Sequence, residues 1–251
     1  MNLVVIGGSG RIGAKLVRIL REEGHRAVPA SRASDVNTLT REGLAASLEG
    51  ADVVVDVSNA SGLDAAATLK FFETSTANLL HAEAGAGVRH HVALSVVGTQ
   101  RLSEAGYFRA KIAQEKLIEE SSIPYSIVQA TQFFEFILGI ADGATVNNTV
   151  RCPSALIQPV AADDIARVVA DVATASPLNG IVEVAGPQQF RLDELLRLRL
   201  SARHDPRDVI ADPRARYFGA ALAERTLVPG NDARLCHTHV RDWLISLQEK
   251  P

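Results

Sequence analysis

Leu3-Val4-Val5-Ile6-Gly7-Gly8-Ser9-Gly10-Arg11-Ile12-Gly13 decides how this chain folds. Its apolar run reads as a buried strand, and the segment after Gly13 reads as an amphipathic helix. Between them Gly8, Gly10 and Gly13 fit G-x-G-x-x-G, while Gly7, Gly10 and Gly13 fit the related G-x-x-G-x-x-G. Glycine suits these places because a side chain blocks the tight turn, the approach of backbone to a pyrophosphate, or the packing of helix on strand. The helix N-terminus then offers N–H groups and partial positive charge to phosphate. An ordinary glycine-rich turn of an α/β protein is the alternative, but strand, motif and helix together favour a dinucleotide site. The contacts expected from the loop are Gly7, Ser9, Gly10, Arg11, Ile12 and Gly13.

Past the loop, Ile12, Leu16, Ile19 and Leu20 recur at i, i+4, i+7 and i+8, the stripe a helix lays on a sheet. Gly24 ends that helix. Arg26 to Arg32 then reads as a second strand whose end lies beside the adenosine ribose. An acid there would select NAD through the 2′-hydroxyl. This chain has Ala30, Ser31 and Arg32 instead, and a hydroxyl with a guanidinium suits a 2′-phosphate. Arg11 adds a second positive group, so the expected cofactor is NADP.

Asn37 to Leu48 reads as a polar turn with a short helix, and Ala51 to Val57 as a buried strand running into Ser58 and Asn59, which then open onto the cofactor crevice. A small-residue helix over Ala65 to Gly85 follows. His90 and His91 read as an exposed pair, and the chain offers no metal-ligand spacing. The strand His91 to Val97 carries Ser95 near its end, and Tyr107, Phe108, Arg109, Ala110 and Lys111 form Y-x-x-x-K on the next helix, Tyr107 to Glu120. Positions 107, 110, 111, 114, 117 and 118 share one stripe, so Tyr107 and Lys111 face the sheet together. A tyrosine hydroxyl has an unperturbed pKa near 10, and a neighbouring ammonium favours its anion. Lys111 is expected to supply that ammonium and to hold the ribose, with Ser95 orienting a substrate carbonyl and Tyr107 exchanging the proton.

Ile123 to Val128 is a further buried strand, leading into Ala130-Thr131-Gln132-Phe133-Phe134. Backbone groups of Ala130 and Thr131 are expected near a nicotinamide carboxamide, and Gln132, Phe133 and Phe134 offer a substrate surface, with plain core packing as the alternative for each ring. Ala155 to Val160 reads as a strand, and Asp163 and Asp164 as structural acids in a helical first turn. Ile181 to Ala185 is another strand and Leu192 to Leu200 another helix. Strands alternating with helices imply a doubly wound parallel sheet of Rossmann type over residues 1–200. From 201 to 251 the Asp/Pro/Arg-rich pattern suggests a small C-terminal lobe on the substrate side, not an independent domain. Its Arg203, Arg207, Arg214 and Arg216 read as a solvated face, and His237-Thr238-His239 has strand-like spacing.

With 47% hydrophobic and 22% charged residues and a net charge of −3, the 251-residue chain has the balance of a globular enzyme. Neither nucleic acid nor an anionic membrane is suggested as a partner. No apolar run of about 18 residues and no leader pattern is evident, which makes the cytoplasm the expected compartment. Cys152 and Cys236 make no motif and read as free thiols. A homodimer is left open.

Gly7 to Gly13, Tyr107 to Glu115, Gln129 to Phe134, Gln158-Pro159-Val160 with Asp163-Asp164-Ile165-Ala166, and Glu183 to Pro187 resemble the short-chain dehydrogenase/reductase superfamily, in its atypical NmrA-like NAD(P)H-binding branch. The resemblance spans nearly the whole chain. It implies a Rossmann core binding NADP and maps the superfamily's Ser-Tyr-Lys set onto Ser95, Tyr107 and Lys111. The Asn-Ala-Gly of typical members is present only as Ser58-Asn59-Ala60-Ser61. Three functions follow from it: an NADP-dependent oxidoreductase acting on a small apolar carbonyl or quinone, a non-catalytic NADP(H) sensor, and an epimerase or lyase that uses NADP.

Overall fold

A computed structural model describes residues 1–62 and 64–248. In chain order the elements are β1 (Asn2–Ile6), α1 (Arg11–Glu22), β2 (Arg26–Ala30), α2 (Leu44–Ser47), β3 (Val53–Asp56), α3 (Ala65–Ala86), β4 (His90–Val96), α4 (Gly106–Glu119), β5 (Tyr125–Ala130) and α5 (Ile137–Gly143). They continue as β6 (Thr145–Val146), β7 (Thr149–Cys152), β8 (Leu156–Ile157), α6 (Ala162–Thr174), β9 (Gly180–Ala185), β10 (Phe190–Arg191), α7 (Leu192–Ser201), β11 (Asp208–Ala211), β12 (Arg234–Leu235) and α8 (Val240–Gln248). A seven-stranded parallel sheet takes the order β12-β9-β5-β4-β3-β1-β2, consistent with a Rossmann fold. The reversal of strand order beside β1 makes the switch point at which such sheets open a crevice beyond the strand ends.

The chain divides into two compact units. The first comprises Met1–Ser95, Gly106–Gln129 and Ile165–Val182, and the second comprises Val96–Ala105, Ala130–Asp164 and the chain from Glu183 on.

In the first unit, register aligns Ile6 with Ala30 and with Asp56, and Asp56 with Ala93, so β1, β2 and β3 finish at one level while β4 runs on to Val96. Continuous apolar runs in β1 and β3 are what a sheet covered on both faces demands. Val4, Ile6, Val54, Leu44, Leu48 and Leu79 share one core cluster, and Ala93, Ile118 and Ile127 share another. The α1 stripe is buried as its spacing predicts, with Leu16 and Leu20 at 0% exposure. On α3, a Cβ added at Gly106 of α4 would lie 2.2 Å from the Ala65 side chain, so the small residues do permit a close approach. The buried stripe of α3 is also polar, carrying Thr68, Ser75, Thr76 and Glu83 beside Phe72 and Leu79.

Two corrections concern the second unit. Ala155 to Val160 is not one strand: only Leu156–Ile157 pairs in a ladder, antiparallel to β10, and Val160 bridges Phe133. His237-Thr238-His239 is not a strand either, because the Thr238 N–H and hydroxyl bond the Asp164 carboxylate at 3.1 and 2.9 Å and hold the segment as a loop. The same unit holds the three-stranded sheet β11-β7-β6, and Phe134 packs against Trp243 with ring centroids 5.3 Å apart.

Candidate functional site

The glycine loop is shaped by three steric limits. A Cβ on Gly13 would lie 2.2 Å from the Gly7 carbonyl oxygen, one on Gly8 would lie 2.6 Å from Pro29 of β2, and one on Gly7 would lie 2.9 Å from the Ser58 backbone. Gly7 also has φ +77°, a left-handed conformation that glycine adopts without strain. At Gly10 the Cβ meets only the Gly7 oxygen, at 3.1 Å. The N-cap of α1 is Gly10, which has no side chain to cap the first turn. The loop is therefore a backbone cradle at an uncapped helix start, which fits a pyrophosphate.

Ser9 and Ser31 meet beside this cradle, hydroxyl to hydroxyl at 3.0 Å. Ser31 also caps the 3-10 turn Arg32–Ser34, accepting from Ala33 N–H at 3.2 Å. Arg11 and Arg32 are exposed, and Ile12 turns its side chain into the core. At the next strand end, Ser58 donates its N–H to Asp56 at 2.9 Å, and its hydroxyl is buried with no partner among the described residues.

The helix α4 brings Tyr107 and Lys111 to one face, as their spacing predicts, and both touch the same ring. Tyr107 meets Phe72 edge-on at 6.3 Å, and the Lys111 ammonium lies over Phe72 at 4.5 Å from its centroid. Their polar ends diverge. Lys111 Nζ donates to Leu94 O at 2.9 Å and to Gln114 Oε1, and the residue is 2% exposed. Burial lowers its pKa to about 8, against the opposing pull of Asp56 and Glu115. The half-buried Tyr107 takes a hydrogen bond from Asn59. Burial raises its pKa to about 12, with the Asn59 bond opposing, so the expectation of a lysine-depressed phenol is corrected. Ser95 donates its hydroxyl to the Glu115 carboxylate, which Gln129 Nε2 also reaches at 2.9 Å. Among the described residues no hydrogen bond joins any two of Ser95, Tyr107 and Lys111.

His90 and His91 correct the reading of an exposed pair, being 3% and 0% exposed. His91 Nδ1 lies 2.8 Å from Glu83 Oε1. Burial pushes His91 down, but the charge and hydrogen bond of Glu83 hold it above its usual value. His90 Nε2 lies 2.9 Å from the Ser126 hydroxyl, and burial with the adjacent His91 lowers it to about 4.

Within the second unit, Thr131 gives its N–H to Val184 O at 2.9 Å, and Ala130 O accepts from Val97 N–H at 2.9 Å. Two backbone groups expected near a carboxamide are thus already paired. Phe134 is 1% exposed, a core ring and not a pocket wall, and Phe133 is half-buried. Gln132 is 6% exposed with neither amide atom partnered among the described residues, and the Thr131 hydroxyl is orphaned likewise. Arg207 of the basic stretch is held by Asp205 at 2.7 Å and Asp142 at 2.8 Å. Cys152 and Cys236 are free and buried. Among the described residues no group of three or more His, Cys, Asp or Glu side chains is placed to hold a metal, and no helix is long and apolar enough to cross a membrane.

From the sequence alone, Phe72, Gln114, Glu115 and Gln129 receive no role. The available signal was on α4 itself: Gln114 and Glu115 stand at i+3 and i+4 from Lys111.

The family model described as NAD(P)H-binding matches residues 7–176, from the glycine loop through α6. The chain belongs to this NAD(P)H-binding family. The resemblance is borne out as far as an NAD(P)H-binding family. Two curated relatives are photosystem II assembly factors Ycf39. That of Synechocystis sp. is 26% identical over 153 residues, 55% of this chain and 47% of the relative. That of Cyanophora paradoxa is 23% identical over 226 residues, 81% of this chain and 70% of the relative. The chain thus spans about half the length of the first of them. Among solved structures, the dTDP-glucose 4,6-dehydratase DesIV of Streptomyces venezuelae with NAD bound superposes with a TM-score of 0.74 at 17% identity, covering 100% of this chain and 98% of that one. An NADPH-dependent quinone oxidoreductase of Escherichia coli gives a TM-score of 0.67 at 15% identity, covering 98% and 100%. At these identities the structures establish a shared fold.

Proposed function

We propose that this NAD(P)H-binding protein is an NADP-dependent oxidoreductase that reduces a small apolar carbonyl or quinone. The observation that carries the reading is Tyr107, half-buried on the first turn of α4 and hydrogen-bonded by Asn59 from the loop after β3, in the same unit as the glycine cradle. Bound NADPH supplies a hydride to the carbonyl carbon. Tyr107 gives its phenolic proton to the carbonyl oxygen, Asn59 holds the phenolate left behind, and solvent restores the proton. A phenol raised to about 12 is fully protonated at neutral pH, which suits the reductive direction, where an acid is needed. Ser31, Arg32 and Arg11 favour the 2′-phosphate of NADP by charge and hydroxyl chemistry.

A second reading is favoured by Ser95 and Lys111, whose polar atoms are engaged with Glu115 and with Gln114 and Leu94. Here the protein binds NADP(H) without turnover and acts on a protein partner, in keeping with relatives named as assembly factors. Titration with NADPH and NADH, followed by a panel of quinones, ketones and aldehydes monitored for loss of reduced-nicotinamide absorbance, separates the two. Turnover that disappears in Tyr107→Phe while NADPH binding persists supports the reductase. Tight binding with no turnover on any class moves the assignment to the second reading.

A further inference from the structure

One chain of hydrogen bonds in the first unit, buried at Lys111, Gln114 and Asp56, links α4 to the glycine loop. Lys111 Nζ donates to Gln114 Oε1, Gln114 Nε2 donates to Asp56 Oδ2 at 3.0 Å, and Asp56 Oδ1 accepts from Ser58 N–H at 2.9 Å. Ser58 in turn is the backbone that lies against Gly7, and Asn59 beside it bonds Tyr107. Asp56, Lys111 and Gln114 are 2%, 2% and 1% exposed, so water is not available to replace a lost partner. The amide of Gln114 has one permitted orientation, because an ammonium has only donors and a carboxylate only acceptors.

We propose that Asp56 and Gln114 are positioning residues, an oriented relay that fixes Lys111 and the Ser58-Asn59 turn together, so that nucleotide affinity depends on the direction of these bonds. The direction makes the relay separable from packing. Asp56→Asn leaves one acceptor oxygen for the two donors that Asp56 receives, Ser58 N–H and Gln114 Nε2. If that oxygen keeps Ser58, two donors meet at Gln114 or, when the Gln114 amide turns, at the Lys111 ammonium; if it turns to Gln114, two donors meet at the Ser58 N–H. Gln114→Glu sets a new carboxylate against that of Asp56. The double substitution restores every donor-acceptor pair, because the new carboxylate accepts both from the amide at 56 and from Lys111, and net charge equals that of the wild type.

The test uses the intact chain and two readouts: NADPH dissociation constants from nicotinamide fluorescence, and hydrogen exchange at the Ser58 amide without ligand. Each single substitution is expected to weaken NADPH binding about tenfold or more and to speed Ser58 exchange, while the double variant binds within about threefold of wild type, a coupling that independent sites do not give. A folded double variant that binds no better than the weaker single, or singles that behave as wild type, overturns the proposal. Should Asp56→Asn not fold, Gln114→Met interrupts the relay without moving a charge. Unchanged Ser58 exchange and unchanged NADPH affinity in that variant overturn it equally. The affinity arm rests on the nucleotide-binding reading; if the wild type binds no NADPH that reading fails, whereas Ser58 exchange still decides the relay.

Discussion

Ser95 donates its hydroxyl to Glu115, and Gln129 Nε2 reaches the same carboxylate at 2.9 Å. The bonds tie the ends of β4 and β5 to α4, and Glu115 is 3% exposed. Glu115→Ala leaves two buried polar groups without this acceptor and is expected to cost about 2 to 4 kcal/mol of stability, measured by urea unfolding. Ser95→Ala removes one donor and keeps Gln129 in place, so its expected cost is about 1 kcal/mol. In the reductase reading it also lowers turnover by less than about tenfold, whereas Tyr107→Phe lowers it by about a hundredfold or more. Equal losses in the two variants would return Ser95 to the chemistry.

The glycine loop predicts a steep difference between neighbours. Gly13→Ala drives a Cβ to 2.2 Å from the Gly7 carbonyl oxygen, a backbone atom and not the end of a flexible side chain. The expected loss is about 3 kcal/mol or more, together with NADPH binding. Gly24→Ala meets nothing within 4 Å but has φ +82°, and so costs only about 1 kcal/mol. Thermal unfolding with and without NADPH checks both, and a Gly13→Ala variant as stable as Gly24→Ala contradicts the steric account.

The sheet was legible because its signals are local: consecutive apolar residues in β1 and β3, the stripe on α1, and glycines whose need is steric. The pairing of Tyr107 with Lys111 was legible only as far as the helix face. Where each head group goes depends on Asn59 for Tyr107 and on Phe72 and Leu94 for Lys111, which arrive from distant parts of the chain. His90 and His91 were misread for a related reason. An isolated polar pair before a strand looks solvated until its partners, Glu83 on α3 and Ser126 on β5, come into place through tertiary contacts. The aromatic segment was ambiguous from the start, and Trp243, far along the chain, decides that Phe134 is core.

Acid should weaken the fold through His90. Its folded pKa of about 4 lies below the 6.5 of an exposed histidine. As pH falls through that window the unfolded chain takes up a proton that the folded chain refuses, so stability declines by up to about 3 kcal/mol from this group. The Ser126 hydroxyl accepts from Leu178 N–H at 3.0 Å, which leaves its hydrogen for His90 Nε2 and favours the neutral ring. Glu83 and His91 are both shifted upward, so they bind protons more tightly when folded and oppose the decline. His90 is therefore read by difference. Urea unfolding between pH 7 and pH 4.5 should show a shallower acid decline in His90→Gln than in wild type, and parallel curves would refute the assignment.

Cofactor choice should turn on Arg32. It is exposed immediately after β2, beside Ser31, whose hydroxyl is bonded to Ser9 of the glycine loop. A guanidinium in that place adds attraction to a 2′-phosphate and none to a 2′-hydroxyl. An exposed pair of this kind contributes modestly, so Arg32→Ala is expected to weaken NADPH about tenfold and to leave NADH within about twofold. Arg32→Asp goes further, because the new carboxylate repels the 2′-phosphate and accepts from ribose hydroxyls. It should reverse the preference toward NADH. Salt adds a second check, since raising it from 50 to 500 mM should narrow the NADPH advantage of wild type and leave NADH affinity nearly unchanged. Equal affinity of the wild-type protein for the two cofactors, or an NADPH preference that persists in Arg32→Asp, would remove Arg32 from the site and leave Arg11 as the charge to test.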